Sequence, residues 1–235
     1  MHAQVTKFRC GGAVVGCTFD HRVCDAYSFN MFLVGWAAAA RGSPAPPDPS
    51  FHRSLLAPRA PAPPCPGTTL ADRLYDTISR VSALPDTATA NRIYRVAVAD
   101  VAALQATAGP GRTKLEAFTA HLWWLHARAT ASASAARQRS SCCMGVVVDG
   151  RARLRRDGAM GAYFGNVLTI PYGEIDTDAL LRRDGMSLAD VAGDVHRWVA
   201  EATTGEHFRE LVDWVEGHRP EPMVARVYVS WGTLG

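Results

Sequence analysis

Gly12-Ala-Val-Val-Gly-Cys-Thr-Phe19, then Asp20-His-Arg-Val-Cys-Asp25, then Tyr27 to Ala40, is the stretch whose reading decides this chain. The first segment is a strand-length apolar run, which predicts a buried strand. The third carries Phe29, Phe32, Leu33 and Trp36 at spacings of three and four, which predicts an amphipathic helix with those side chains on its buried face. Arg41-Gly42 is a helix stop, with Pro44 shortly beyond. His21 stands between strand and helix. That is a good mount for a general base, because the strand fixes the backbone and its end faces a crevice. A neutral imidazole, with a reference pKa of about 6.5, can accept a proton near pH 7. Asp25 has three readings: the acid of a dyad with His21, an arginine partner that holds the loop in shape, or a helix cap.

Outward from this stretch, residues 4–10 read as a short strand broken by Gly11-Gly12. Residues 44–66 contain nine prolines, too many for a helix or central strand, and read as a stiff crossover or a long surface loop. Strands are expected at Asn91 to Val98, Cys142 to Val148, Val167 to Ile170 (stopped by Pro171) and Val224 to Trp231. Helices are expected at Asp100 to Ala108, Thr113 to about Ala131, Ser187 to Thr203 and Glu206 to Glu216. Thr113-Lys-Leu-Glu116 fits a capping box, and Leu115, Phe118, Leu122 and Leu125 lie on one side of the helix it opens. Trp123 and Trp124 read as core. Strands and helices mix without strict alternation, which defines a mixed α/β (α+β) chain.

The length of 235 residues suits one large domain or two small ones. With 48% hydrophobic and 20% charged residues, the chain can build a core and is not disordered. A net charge of +3, with Lys7 and Lys114 as the only lysines, gives no nucleic-acid footprint. The best apolar window, Met31 to Ala40, is far too short to span a membrane, and no leader peptide is read at Met1-His-Ala-Gln4. The six cysteines form no Cys-x-x-Cys pair, so no metal site is expected; reduced thiols in a cytoplasmic protein are.

His-x-x-x-Asp, at His21 and Asp25, is common by chance. Its neighbours make it specific. Gln4-Val-Thr-Lys-Phe-Arg-Cys-Gly-Gly12 precedes it and Trp36 to Gly42 follows. Asp149-Gly-Arg151 leads to Tyr163-Phe-Gly-Asn-Val167. Thr113 to Trp123 and Val229-Ser-Trp231 complete four blocks in order. Together they resemble the plant BAHD acyltransferases, which move an acyl group from coenzyme A to an alcohol or amine. The form Asp25-Ala-Tyr-Ser28 is similar to the branch of coniferyl-alcohol and hydroxycinnamoyl transferases.

The resemblance implies a chloramphenicol-acetyltransferase-like two-domain fold, here incomplete. Residues 1–43 would be the last part of the first domain, 44–70 the crossover, and 71–235 a second domain truncated at its end. Asp-Phe-Gly-Trp-Gly, which the family carries further on, does not occur. The active site would lie between domains, and strands in residues 4–19 would expose apolar edges. His21 would be the base. Asp25 would be a structural member of the catalytic motif, pointing away from substrate. The resemblance implies no permanently bound cofactor. Acyl-CoA would be co-substrate, with a hydroxycinnamoyl, benzoyl, acetyl or malonyl group, and a small alcohol or amine the acceptor. No nucleic acid, no membrane and a monomeric state complete the expectation. Lys114 and the cluster Arg151, Arg153, Arg155 and Arg156 are candidates for the donor's phosphates, against a solvated basic loop; Asp149 and Arg151 also read as braces of the fold. Two competing readings are a catalytically dead remnant with a binding role and a peptide-synthetase condensation domain. The latter's second histidine would fall at Asp20.

Overall fold

The computed structural model describes residues 2–44, 46–61, 68–78, 92–133, 141–154, 158–178 and 185–227. The chain forms two compact units, Met1–Ala57 with Asp149–Leu168, and Pro58–Val148 with Thr169–Gly235.

In the first unit, β1 (His2–Lys7) and β2 (Ala13–Thr18) pair antiparallel, with Val5 opposite Val15. Gly11, at φ +84°, closes the hairpin in the left-handed region that glycine tolerates. Helix α1 (Ala26–Ala40) is capped by Asp25, whose carboxylate accepts from the Ser28 N–H. At its other end Gly42, at φ +64°, lets the Ser43 N–H reach back to the Ala38 carbonyl at 3.0 Å. The unit's core is small: Met160, Tyr163 and Val167, flanked by Leu55, Leu56 and Leu154. Ser50 ties in beside Tyr163, donating to the Ala162 carbonyl at 2.7 Å and accepting from the Phe164 N–H at 2.8 Å.

Strand β2 is not the buried strand its apolar run predicts, since Val14 is 55% and Val15 46% exposed. Nor is the aromatic face of α1 buried: Trp36 is 48% exposed, and the buried positions are Ser28 and Ala38. A pattern specifies which side is apolar, but burial needs an opposing layer, and a two-stranded hairpin supplies none.

In the second unit, α4 (Lys114–Ala133) is the central helix. Its capping box forms as the sequence predicts: Thr113 N–H donates to Glu116 Oε2 at 2.6 Å, and Glu116 N–H to Thr113 Oγ1 at 3.2 Å. The face it buries is not the leucine face. Ala117, Ala120, Trp123 and Ala127 pack against Val191, Ala192 and Val195 of α6 (Leu188–Ala202), while Leu115, Leu122 and Leu125 stay exposed. Small side chains let two helices approach closely, and Trp123 then fills the remaining space and donates to the Cys142 carbonyl at 3.0 Å.

Against α4 lies the antiparallel pair β4 (Ser141–Gly145) and β7 (Tyr172–Asp176); two-residue strands β5 (Val148–Asp149) and β6 (Leu168–Thr169) fall between them in the chain. Strand β7 follows Pro171 directly, where the sequence reading stopped the strand; proline lacks an N–H, which matters inside a ladder but not just before one. The strand expected over Asn91 to Val98 does not form. Residues 92–97 are irregular, Asn91 lies outside the described residues, and α3 (Val98–Thr107) starts early. Short elements α2 (Leu70–Leu74), β3 (Tyr75–Thr77), α7 (Gly205–Gly217) and β8 (Met223–Ala225) complete the unit, with β3 and β8 paired. The rest of the expected last strand, 228–231, lies outside the described residues. From the proline-rich stretch, Arg59 clamps onto α7: its N–H and Nε hold Asp213 at 2.7 and 2.6 Å, and Nη1 holds Glu206 at 2.6 Å.

A buried polar chain crosses the second unit. Ile170 N–H donates to Tyr75 Oη at 3.1 Å, Tyr75 Oη to Thr169 Oγ1 at 3.1 Å, and Thr169 Oγ1 meets His207 Nε2 at 2.9 Å. Nδ1 of His207 is buried without a partner among the described residues. Burial holds the His207 pKa below its ordinary value. The unfolded chain therefore binds this proton more readily. Stability from neutral His207 is fully present above about pH 6.5 and falls as pH drops through the folded-state pKa. Urea unfolding between pH 7.5 and 5 will show that loss, and His207→Gln will flatten it. A second prediction concerns Gly173. A Cβ there would lie 2.7 Å from both Trp123 Cη2 and Trp198 Nε1, so Gly173→Ala should lower stability by about 1–3 kcal/mol in the same assay.

Candidate active site

His21 occupies the turn of residues 21–23 between β2 and α1, and is exposed. Neither nearby carboxylate touches its ring. Asp20 is held by Arg22, whose Nε and Nη2 reach it at 3.0 and 2.6 Å. That hydrogen bond, helped by the Arg22 N–H, lowers the Asp20 pKa to about 2.

Asp25 points inward. It is fully buried and meets the guanidinium of Arg151, itself 5% exposed, through two bonds: Nη1 to Oδ2 at 2.8 Å and Nη2 to Oδ1 at 3.1 Å. The Ser28 and Val167 N–H groups donate to the same carboxylate at 2.9 and 3.1 Å. Burial alone would raise the Asp25 pKa and is the largest single influence. The bonds from Arg151, Ser28 and Val167, with the arginine's charge, outweigh it and hold the pKa below the ordinary value.

Arg151 has no donor left over. Its Nε bonds the Tyr163 carbonyl at 3.3 Å. Nη1 also meets Asp149 at 3.2 Å, and Nη2 also meets Ser28 Oγ at 2.9 Å and the Gly165 carbonyl at 3.0 Å. The Tyr27 ring covers it, 4.5 Å from the guanidinium carbon. The phosphate role considered for Arg151 is therefore corrected: the guanidinium is itself buried and every N–H already has a partner in the fold, so none is turned to a ligand. Lys114 is exposed at the first position of α4 in the second unit, and Arg153 is exposed on α5 (Arg151–Leu154). Arg155 and Arg156 lie outside the described residues, as does Val229-Ser-Trp231. Among the described residues, no cluster of three or more His, Cys, Asp or Glu could hold a metal ion.

The Tyr163 to Val167 segment completes the brace. Tyr163 Oη accepts from Arg53 Nη1 at 2.7 Å, and a Cβ on Gly165 would stand 2.9 Å from Tyr163 Cε1, so a side chain here would push against the Tyr163 ring. Ser28 Oγ donates to the Gly165 carbonyl at 3.0 Å and accepts the Gly165 N–H at 3.1 Å. Asn166 Nδ2 donates to the His21 carbonyl at 2.7 Å. The sequence marks Gly165 and Asn166 within the Tyr163 to Val167 block, Gly165 as a place for close backbone approach and Asn166 for local backbone bonds, and assigns Ser28 no role. Ser28 had one available signal, its position three residues after a helix-capping aspartate. Chemically, the arrangement leaves a single imidazole in the open, next to a rigid buried brace, with both neighbouring carboxylates neutralised by arginines.

Solved structures share this fold. Vinorine synthase superposes with a TM-score of 0.55 over 93% of this chain and 47% of its own, at 17% identity. TRI101 of F. graminearum, complexed with coenzyme A and T-2 mycotoxin, superposes with a TM-score of 0.62 over 88% and 46%, at 13% identity. The fold is therefore the chloramphenicol-acetyltransferase-like acyltransferase fold. Residues 1–231 match the Transferase family, the BAHD family, and the chain belongs to it. Putrescine hydroxycinnamoyltransferase 3 of Oryza sativa subsp. japonica is 30% identical over 229 residues, 90% of this chain and 48% of the relative. Omega-hydroxypalmitate O-feruloyl transferase of Arabidopsis thaliana is 28% identical over 247 residues, 99% and 51% respectively. The chain thus spans about half the length of the curated relatives it matches.

The Asp25–Arg151 pair makes a stability prediction. Asp25→Asn removes one partner of a buried ion pair and should cost about 3–5 kcal/mol, read by urea unfolding at pH 7. In the unaltered chain the contribution of ionised Asp25 is fully present above about pH 4. It is lost as pH falls through the depressed folded-state pKa, a slope that the variant should lack.

Proposed function

We propose that the protein transfers an acyl group from acyl-CoA to the hydroxyl or amine of a small plant metabolite, with His21 as general base. The observation that carries this is an exposed imidazole whose flanking carboxylates, Asp20 and Asp25, are each paired with an arginine. The ring is left to take a proton from an acceptor. The acceptor's oxygen or nitrogen attacks the thioester carbonyl while His21 Nε2 or Nδ1 takes its proton. Collapse of the tetrahedral intermediate breaks the C–S bond, and the imidazolium returns the proton to the leaving thiolate. No acyl-enzyme forms. Asp25 acts through the fold and touches no substrate.

Support for the substrate class comes from the relatives. Their names include putrescine hydroxycinnamoyltransferase, tryptamine benzoyltransferase and agmatine coumaroyltransferase, with one transferase for omega-hydroxypalmitate. Aromatic acyl groups are accordingly the first donors in the proposal, ahead of acetyl and malonyl. Lys114, an exposed cation at the first position of α4, is the proposed partner for the donor's phosphates. A monomer in the cytoplasm, with no permanently bound cofactor, belongs to the same proposal.

The test is thiol release from coumaroyl-CoA, feruloyl-CoA and benzoyl-CoA with putrescine, agmatine, tryptamine and a long-chain alcohol as acceptors. His21→Ala should lower turnover by about 10²–10⁴-fold. Turnover that survives this substitution undiminished overturns the assignment of the base.

A further inference from the structure

An imidazole that works as a base needs its ring aimed, and a carboxylate on the second ring nitrogen often does this. His21 has no carboxylate partner among the described residues; its ring lies beside Phe19, centroids 5.7 Å apart, and Phe19 stacks on Phe29 of α1 at 4.3 Å. Its turn is internally shaped by Val23 N–H to the Asp20 carbonyl at 3.0 Å and by the Asp20–Arg22 pair. Those bonds lie inside the turn and fix nothing to the rest of the unit. Among the described residues, one hydrogen bond ties residues 20–23 to a residue outside them: Asn166 Nδ2 to the His21 carbonyl, at 2.7 Å.

The donor is itself held on both sides. The Gly165 carbonyl accepts from Ser28 Oγ, Arg151 Nη2 and the Asp25 N–H, and the Val167 N–H donates to Asp25 Oδ2. Asn166 therefore projects from the most rigid segment of the unit to the least anchored residue of the motif. Its amide is exposed, so solvent competes for it, and the bond persists only because both backbones are already in place. We infer that Asn166 is the positioning residue of His21: it ties the backbone of the base to the Asp25–Arg151 brace and so, with Phe19 beside the ring, sets the direction in which the imidazole leaves the turn. The catalytic consequence rests on His21 being the base. The mechanical link does not.

The experiment uses the full chain, isotope-labelled, with Asn166→Ala and Asn166→Asp. Aspartate has the size of asparagine but no N–H donor when ionised. Amide hydrogen exchange at Arg22, Val23 and Cys24 should quicken about three- to tenfold in both variants, with α4 amides unchanged as the internal reference. The His21 ring resonances should shift and broaden, while those of His207 do not move. In turnover assays kcat should fall with KM for donor and acceptor unaltered, because ring direction matters in the transition state and not in ground-state binding. Unchanged exchange at 22–24 in both variants overturns the inference. So does an Asn166→Asp chain that behaves as the unaltered one, since the role would then be packing. Loss of this link with full activity in His21→Ala would reject the base and keep the positioning, so the two readings fail separately.

Discussion

A carboxylate and a guanidinium, both out of water, hold the first unit together. Separating charge from solvent is costly, and a pair in that state survives only when its remaining donors and acceptors are met. Asp25 and Arg151 meet this condition through Ser28, Asp149, Tyr163, Gly165 and Val167. The pair joins residues 126 positions apart, and the start of α1, the Asp149-Gly-Arg loop and the Tyr163–Val167 segment converge on it. The hydrophobic core beside it is only a few side chains. Polar bonding, more than apolar burial, fixes this geometry.

From that brace the functional arrangement follows. Asp25 cannot serve as the acid of a dyad, because its oxygens face inward and are filled. Asp20 is turned to Arg22 in an exposed pair and does not touch the ring. What remains is a histidine presented to the outside on a short turn, fastened through its backbone, with Phe19 beside its ring and no carboxylate on its nitrogens among the described residues. The two residues of the motif thus divide the work: one anchors the loop, the other is offered to an acceptor.

The second unit is built on different principles. Alanines on α4 and valines on α6 bring the helices close, and Trp123 fills what they leave. Gly173 lets β7 slide under two indoles. The buried chain from Tyr75 to His207 adds polar order but leaves one ring nitrogen unmet, which makes this unit sensitive to acid.

Local chemistry was legible in the sequence. The capping box at Thr113 and Glu116, the stops at Gly42 and Pro44, the long helices and the family likeness of Tyr163 to Val167 all follow from short-range rules, in which each residue answers to neighbours a few positions away. His21 was found by its motif and setting. Tertiary structure decided the rest. Which face of α4 is buried, whether β2 has a covering layer, that Arg151 serves Asp25 and not a ligand, and that Asn166 reaches the backbone of His21 are all matters of long-range partnership. Periodicity records which side of an element is apolar; only the packed chain determines what stands opposite it.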